Sequence, residues 1–229
     1  MSALNKFYEE RFLGVFLKCV SRIKYAINYL CLKLLCRQVG ARVTVISLPR
    51  ITGGKNICIG DNVFIGRGVH LSATDGAHIT IEDHVEIRDG VRLYGEKIVV
   101  GAHATLGENA FLVGTIDIAQ KCWISRGCDI SGEVEIGKAI LGPYVRCISS
   151  DHGRALDGAI CMDQNCTQAK VSIKDGAWVG MNATILKGVT LEKNSVVGAG
   201  SVVTRSVAQG RVVAGVPARE IRSGLNIAK

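Results

Sequence analysis

Large side chains are scarce in this sequence. Only 5% of its 229 residues are aromatic and three are proline, whereas 27 are glycine. A core without aromatic bulk has to be assembled from small aliphatic groups, which suits a closely wound solenoid better than a β-sandwich or a helical bundle. Metal-binding spacing is missing too: nine cysteines form no CxxC and no Cys/His zinc pattern. Reduced thiols in a cytoplasmic protein are the simplest reading. Basic residues neither alternate with aromatics nor form a long run, which argues against nucleic acid as a partner. They are in excess all the same, 28 Lys and Arg against 20 Asp and Glu, a formal charge of +8. That balance favours acidic lipid or a phosphorylated small molecule.

No apolar run is long enough to span a bilayer. Residues 12–36 are strongly apolar and read as helix, but Lys18, Arg22, Lys24 and Lys33 interrupt them, and a spanning helix needs ~20 mostly apolar residues. Glu9 and Glu10 upstream, with no small-residue cleavage site after the run, argue against a secretory signal. Residues 1–40 are therefore expected to be a helical segment. Its role stays open between a cap or subunit contact at the end of a repeat domain and a peripheral attachment of residues 3–37 to an anionic membrane surface.

What the sequence does have is a period of six. Aliphatic residues recur at Ile59, Ile65 and Leu71, at Ile81, Ile87 and Leu93, at Val100, Leu106 and Leu112, and at Ile118, Ile124 and Ile130. The longest block is Ile173, Val179, Ile185, Leu191, Val197 and Val203. A second small or β-branched residue follows most of these by four, Cys122 and Cys128 among them. Six matches neither helical periodicity nor strand alternation. It fits a coil of three short strands, with the aliphatic residue inside and the coils hydrogen-bonded along the axis at ~4.8 Å. One spacing is irregular: Leu141 follows Ile136 by five, so a register shift is expected there.

The segments "IGDNVFIGRGVHL" and "VSIKDGAWVGMNATILKGVTLEKNSVVGAGSVVT" resemble the hexapeptide-repeat acyltransferases, and the resemblance covers about residues 41–222. It implies a mainly β fold, a left-handed parallel β-helix over residues 41–216. The helical segment 1–40 would precede it and a C-terminal tail, 217–229, would follow. The left hand is an implication of the family, because general connection rules favour the right-handed crossover.

The hexads stop between Gly142 and Val171, and residues 147–170 read as an inserted loop, "CISSDHGRALDG" at its start. Loops of that length in compact domains are usually functional or disordered. His152 stands out from His70, His78, His84 and His103, which lie within or beside the repeat and read as solvated. An imidazole with an ordinary pKa near 6.5 accepts a proton at neutral pH. The family places its catalytic His at this break, which implies His152 as general base. The match is closest to the sugar and polysaccharide O-acetyltransferase branch, with a D-H-x-H-G-like segment and a following "MDQ"; here the residues are "SSDHG" and "CMDQ", without the second His. Asp151 has two readings, orienting the imidazole or binding substrate and anchoring the loop.

The resemblance also implies acetyl-coenzyme A as donor, without a metal. "AWVGMNATI" carries over Trp178, Gly180 and Met181 to the thioester end. "GAGSVVTR" carries over Ala199, Thr204 and Arg205 to the pantetheine arm and nucleotide, and "VVAGVPAREIR" carries over Arg219 and Arg222 to the phosphates. A homotrimer with the donor groove between subunits is implied as well. The expected acceptor is a sugar hydroxyl on a polysaccharide precursor, nucleotide-linked sugar or lipid-linked glycan in surface polysaccharide or lipopolysaccharide synthesis. A small acceptor such as a free sugar, serine or an antibiotic, and a non-catalytic β-helix, are the alternatives.

Overall fold

A computed structural model of the chain describes residues 20–74, 76–152 and 166–223. Residues 20–35 form a helix, and a parallel β-solenoid follows.

Three ladders of stacked inward residues build the solenoid. The first face aligns Val39, Ile59, Ile81, Val100, Ile118, Ile136, Ile173, Leu191 and Val207. The second aligns Val45, Ile65, Ile87, Leu106, Ile124, Leu141, Val179, Val197 and Val213. The third aligns Ile51, Leu71, Leu93, Leu112, Ile130, Cys147, Ile185 and Val203. Most of these side chains are fully buried. All but Cys147 are mid-sized aliphatic groups stacked on their own kind one coil away, so a single interior column runs the length of the domain. The small or β-branched residues that follow the rungs are buried as well, with Val85, Ala104, Cys122, Ala139, Ala177 and Ser195 marking one edge of the column.

Three boundaries differ from the sequence reading. Leu141 stays in register with Ile124 and Val179, so the short spacing after Ile136 produces no shift. The missing residue is the left-handed corner position that Lys121 (φ 59°) and Gly176 (φ 74°) fill in the flanking coils. The corner still closes through the Lys138 N–H to Asp175 Oδ1 at 2.9 Å. Cys147, expected at the start of the loop, is instead a fully buried rung of the third ladder. Residues Ala218–Ser223, expected in the tail, form a strand that runs antiparallel to Arg211–Gly215 and closes the C-terminal end.

At the other end, the helix lies against the first coil. Leu32 is fully buried, the Tyr29 hydroxyl donates to the Gly40 carbonyl at 2.9 Å, and Asn28 Nδ2 donates to the Val45 carbonyl at 3.2 Å. The buried face of the helix thus covers the open end of the column, as a solenoid requires.

Candidate functional site

The insertion leaves the solenoid at the corner between the third and first faces. Ser149 is buried there, and its Oγ accepts the Glu133 backbone N–H at 2.7 Å. Gly132 permits that approach: its φ is 90°, and a Cβ would lie 1.9 Å from the Ser149 Oγ. The chain then runs out along Ser150–Asp151 and returns along Thr167–Gln168, an antiparallel pair. Two further backbone bonds tie this neck to the wall, Ala169 N–H to Ser149 O at 2.9 Å and Gly188 N–H to Ala169 O at 3.0 Å.

His152 follows the outgoing strand directly and is exposed, with its Nδ1 3.5 Å from the Cys166 Sγ. Asp151 Oδ2 lies 3.0 Å from the Lys187 Nζ, and the same ammonium donates to the Thr167 Oγ1. Lys187 therefore clasps both strands of the neck from the next coil. This contact engages Asp151 with the wall. Residues 153–165, with the "CMDQ" segment, lie outside the described residues.

The other singled-out residues fall into two groups. Trp178 points outward from the second face and is 53% exposed, with Met181 at the next corner 52% exposed. Trp123 and Ile140 occupy the same outward column on the two preceding rungs, half-exposed as well. Gly180 lets the next coil pass close by, since a Cβ there would meet the Ala199 backbone nitrogen at 2.6 Å. Ala199 is exposed one rung further on.

Thr204 and Arg205 belong to the second group, at the corner that carries the insertion two rungs earlier. Arg205 and Arg219 line one cleft of about 350 Å³ at the C-terminal end, together with Arg211, Ser206 and Glu220. Sequence reasoning missed Arg211, which pairs with Glu220 at 3.0 Å. Its signal was available only once the returning strand was known to lie beside it. The backbone of Arg222 pairs with Val212, and its side chain lies outside the described residues. On one chain, His152 and Lys187 thus stand on a different edge from Trp178 and Met181.

The remaining thiols and imidazoles separate cleanly. Burial pushes the Cys122 thiol up to about 12 and the Cys128 thiol up to about 11, and raises that of Cys147 further. These are core groups, not nucleophiles at neutral pH. His84 and His103 sit at successive left-handed corners with their rings stacked 4.6 Å apart. His70 is not the solvated residue expected: its Nδ1 bonds the Tyr94 hydroxyl and its Nε2 is buried without a partner. Burial, then the charges of Arg50 and Arg92, lower its pKa.

Residues 170–205 match the family described as bacterial transferase hexapeptide (six repeats). The galactoside O-acetyltransferase of Escherichia coli is 27% identical over 146 residues, 56% of this chain and 67% of that protein. These matches support a hexapeptide-repeat acetyltransferase. A 2,3,4,5-tetrahydropyridine-2,6-dicarboxylate N-acetyltransferase of Clostridium perfringens is 55% identical over 51 residues, and here the match spans only 22% of either protein. Among solved structures, a hexapeptide-repeat acetyltransferase of Vibrio cholerae, complexed with acetyl coenzyme A, shares 24% identity. That match covers 88% of this chain and 78% of the other, at a TM-score of 0.36.

Proposed function

We propose that this protein transfers an acetyl group from acetyl-coenzyme A to a sugar hydroxyl, with His152 as general base. The observation that carries this reading is the alignment of His152, Lys187 and Arg205 along one corner of the coil. An exposed imidazole stands where the insertion begins, and an arginine-lined cleft opens two rungs away, ~10 Å at the usual strand spacing. Arg205 and Arg219 fit the phosphates of the coenzyme, because clustered guanidinium groups bind phosphate well, with Arg211 beside them already paired to Glu220. The half-exposed Trp178 and Met181 fit the apolar arm near the thioester.

His152 would take the proton from the acceptor hydroxyl as its oxygen bonds to the acetyl carbon. The carbon–sulfur bond then breaks, and the imidazolium returns the proton to the departing thiolate. A backbone N–H in the groove would hold the oxyanion formed between those events. The two edges that carry His152 and Trp178 meet only if two chains lie side by side, and this supports a homotrimer with each site shared between neighbours. The acceptor reading is a sugar hydroxyl of a nucleotide-linked or lipid-linked glycan. Surface polysaccharide synthesis on the cytoplasmic side suits the free cysteines among the described residues.

The test is acceptor-dependent release of free thiol from acetyl-coenzyme A, measured with sugars and lipid-linked glycans, for wild type and His152→Ala. Loss of ~10²–10⁴-fold in turnover is expected, with coenzyme binding retained. Undiminished turnover in the variant would remove His152 from the chemistry.

A further inference from the structure

Residues 20–35 carry two apolar faces, and among the described residues only one of them is packed. Leu32, Tyr29 and Asn28 meet the first coil. On the opposite side Val20, Ile23, Ile27, Leu30 and Leu34 repeat at alternating spacings of three and four, which aligns them along one helix face. That face is open: Ile23 is 60% exposed, Ile27 54%, Leu30 59% and Leu34 87%. Scattered exposed aliphatics need no explanation, but four turns of them in one row do.

The charges on either side of the row identify what covers it. At ~100° per residue, Lys24 flanks the stripe on one side and Arg22 and Lys33 on the other, and all three are exposed. Arg37 follows the helix. Between residues 11 and 40 there are six basic side chains and no acidic one. A second copy of the same helix would bring these cations against one another without a single carboxylate to pair with them, the opposite of what a helix–helix seam uses. Acidic phospholipid offers the complement, with anionic headgroups for the flanking cations and acyl chains for the stripe. No described helix is long and apolar enough to cross a membrane, so this one would lie along the surface.

We propose that the outward face of this helix docks the protein on an anionic bilayer, with Ile23, Ile27, Leu30 and Leu34 inserted and Arg22, Lys24 and Lys33 at the headgroups. The proposal does not rest on the acyl-transfer reading. Docking there leaves the helix's other face seated on the solenoid, so the protein binds as a folded unit. The insertion is five rungs from the first coil, ~24 Å along the axis. The membrane therefore serves as a platform beside the site and is not part of its wall.

The experiment is co-sedimentation of the full chain with vesicles of phosphatidylcholine, with and without phosphatidylglycerol. Binding is expected only when phosphatidylglycerol is present, and it should fall as salt rises. Replacing Ile23, Ile27, Leu30 and Leu34 together by Gln keeps helix propensity and should weaken binding about a hundredfold or more, given the transfer energy of four aliphatic side chains. Arg22→Gln, Lys24→Gln and Lys33→Gln should each weaken it roughly fivefold. Circular dichroism of the variants checks that the solenoid persists. Failure of the wild type to bind phosphatidylglycerol vesicles overturns the proposal, as does equal binding by the quadruple variant. A change in molar mass of that variant, without vesicle binding by the wild type, would assign the stripe to a subunit contact instead.

Discussion

Lys187→Ala separates holding His152 in place from taking part in the reaction. The ammonium contacts Asp151 Oδ2 at 3.0 Å and Thr167 Oγ1, one partner on each strand of the neck. Asp151 is 60% exposed and Lys187 29%, and an ion pair this open to water contributes ~0–1 kcal/mol. Its loss should therefore leave the solenoid's melting temperature nearly unchanged. If the pair holds the neck closed, the open fraction rises by at most about fivefold, the equivalent of ~1 kcal/mol. Turnover should fall by no more than that, far short of the ~10²–10⁴ expected for His152→Ala if His152 is the proposed base. Hydrogen exchange supplies the independent readout, because Ala169 N–H and Gly188 N–H carry the bonds that seal the neck. Both should exchange faster in Lys187→Ala and recover in Lys187→Arg. A loss of turnover equal to that of His152→Ala would place the ammonium in the chemistry. Unchanged exchange at both amides would show that the neck closes without it.

Two further outcomes follow from charge. Arg205→Ala and Arg219→Ala should each raise the dissociation constant of coenzyme A, by ~10–100-fold for a charge-assisted contact, and desphospho-coenzyme A should feel the change less. Calorimetric titration of the two ligands checks this. Lys170 and Lys174 contact Glu135 at 2.8 and 3.3 Å; hydrogen bonding from Lys170 is the largest influence on Glu135, and its pKa is lowered. A depressed carboxylate stabilises the folded state above its unfolded pKa and loses that contribution as pH falls through the folded value. Glu135→Gln should thus lower the melting temperature slightly at neutral pH and flatten its acid limb by the same small amount, since the groups are largely exposed.

The solenoid was legible because its rule is local and repeated: each aliphatic rung in the sequence is a rung in space. The rule failed where a different side chain of suitable volume satisfied the same position. Cys147 follows Leu141 by six and fills the third ladder, yet a search for aliphatic residues passes over it. The short corner at Ile136–Leu141 misled in the other direction, because the deleted residue was the one outside the core, and losing it costs the interior nothing. Ala218–Ser223 has no hexad because it returns antiparallel, and Arg211 joins the cleft only through that return. The position of His152 could be read from the break in the pattern. Its neighbours could not: Cys166 comes back from the far end of the insertion and Lys187 from the next coil, and neither differs in sequence from an ordinary surface residue.

The distribution of site residues over two edges makes a final prediction that tests the assembly and the assignment together. Trp178 faces outward from the second face, whereas His152 leaves the corner between the third and first. If each site takes His152 from one chain and Trp178 from its neighbour, two inactive variants can restore each other. Mixing His152→Ala with Trp178→Ala during refolding gives trimers in which some sites draw an intact histidine from one variant and an intact tryptophan from the other. Random assembly at equal amounts makes roughly a quarter of all sites wild type in composition. Turnover should recover toward that fraction, while each variant refolded alone stays near its own low rate. A site built within one chain allows no such recovery, because every chain in the mixture lacks one of the two groups. Mixtures that remain inactive, although mass measurements show the two variants in the same oligomer, would therefore return His152 and Trp178 to a single chain and remove the argument for a shared groove.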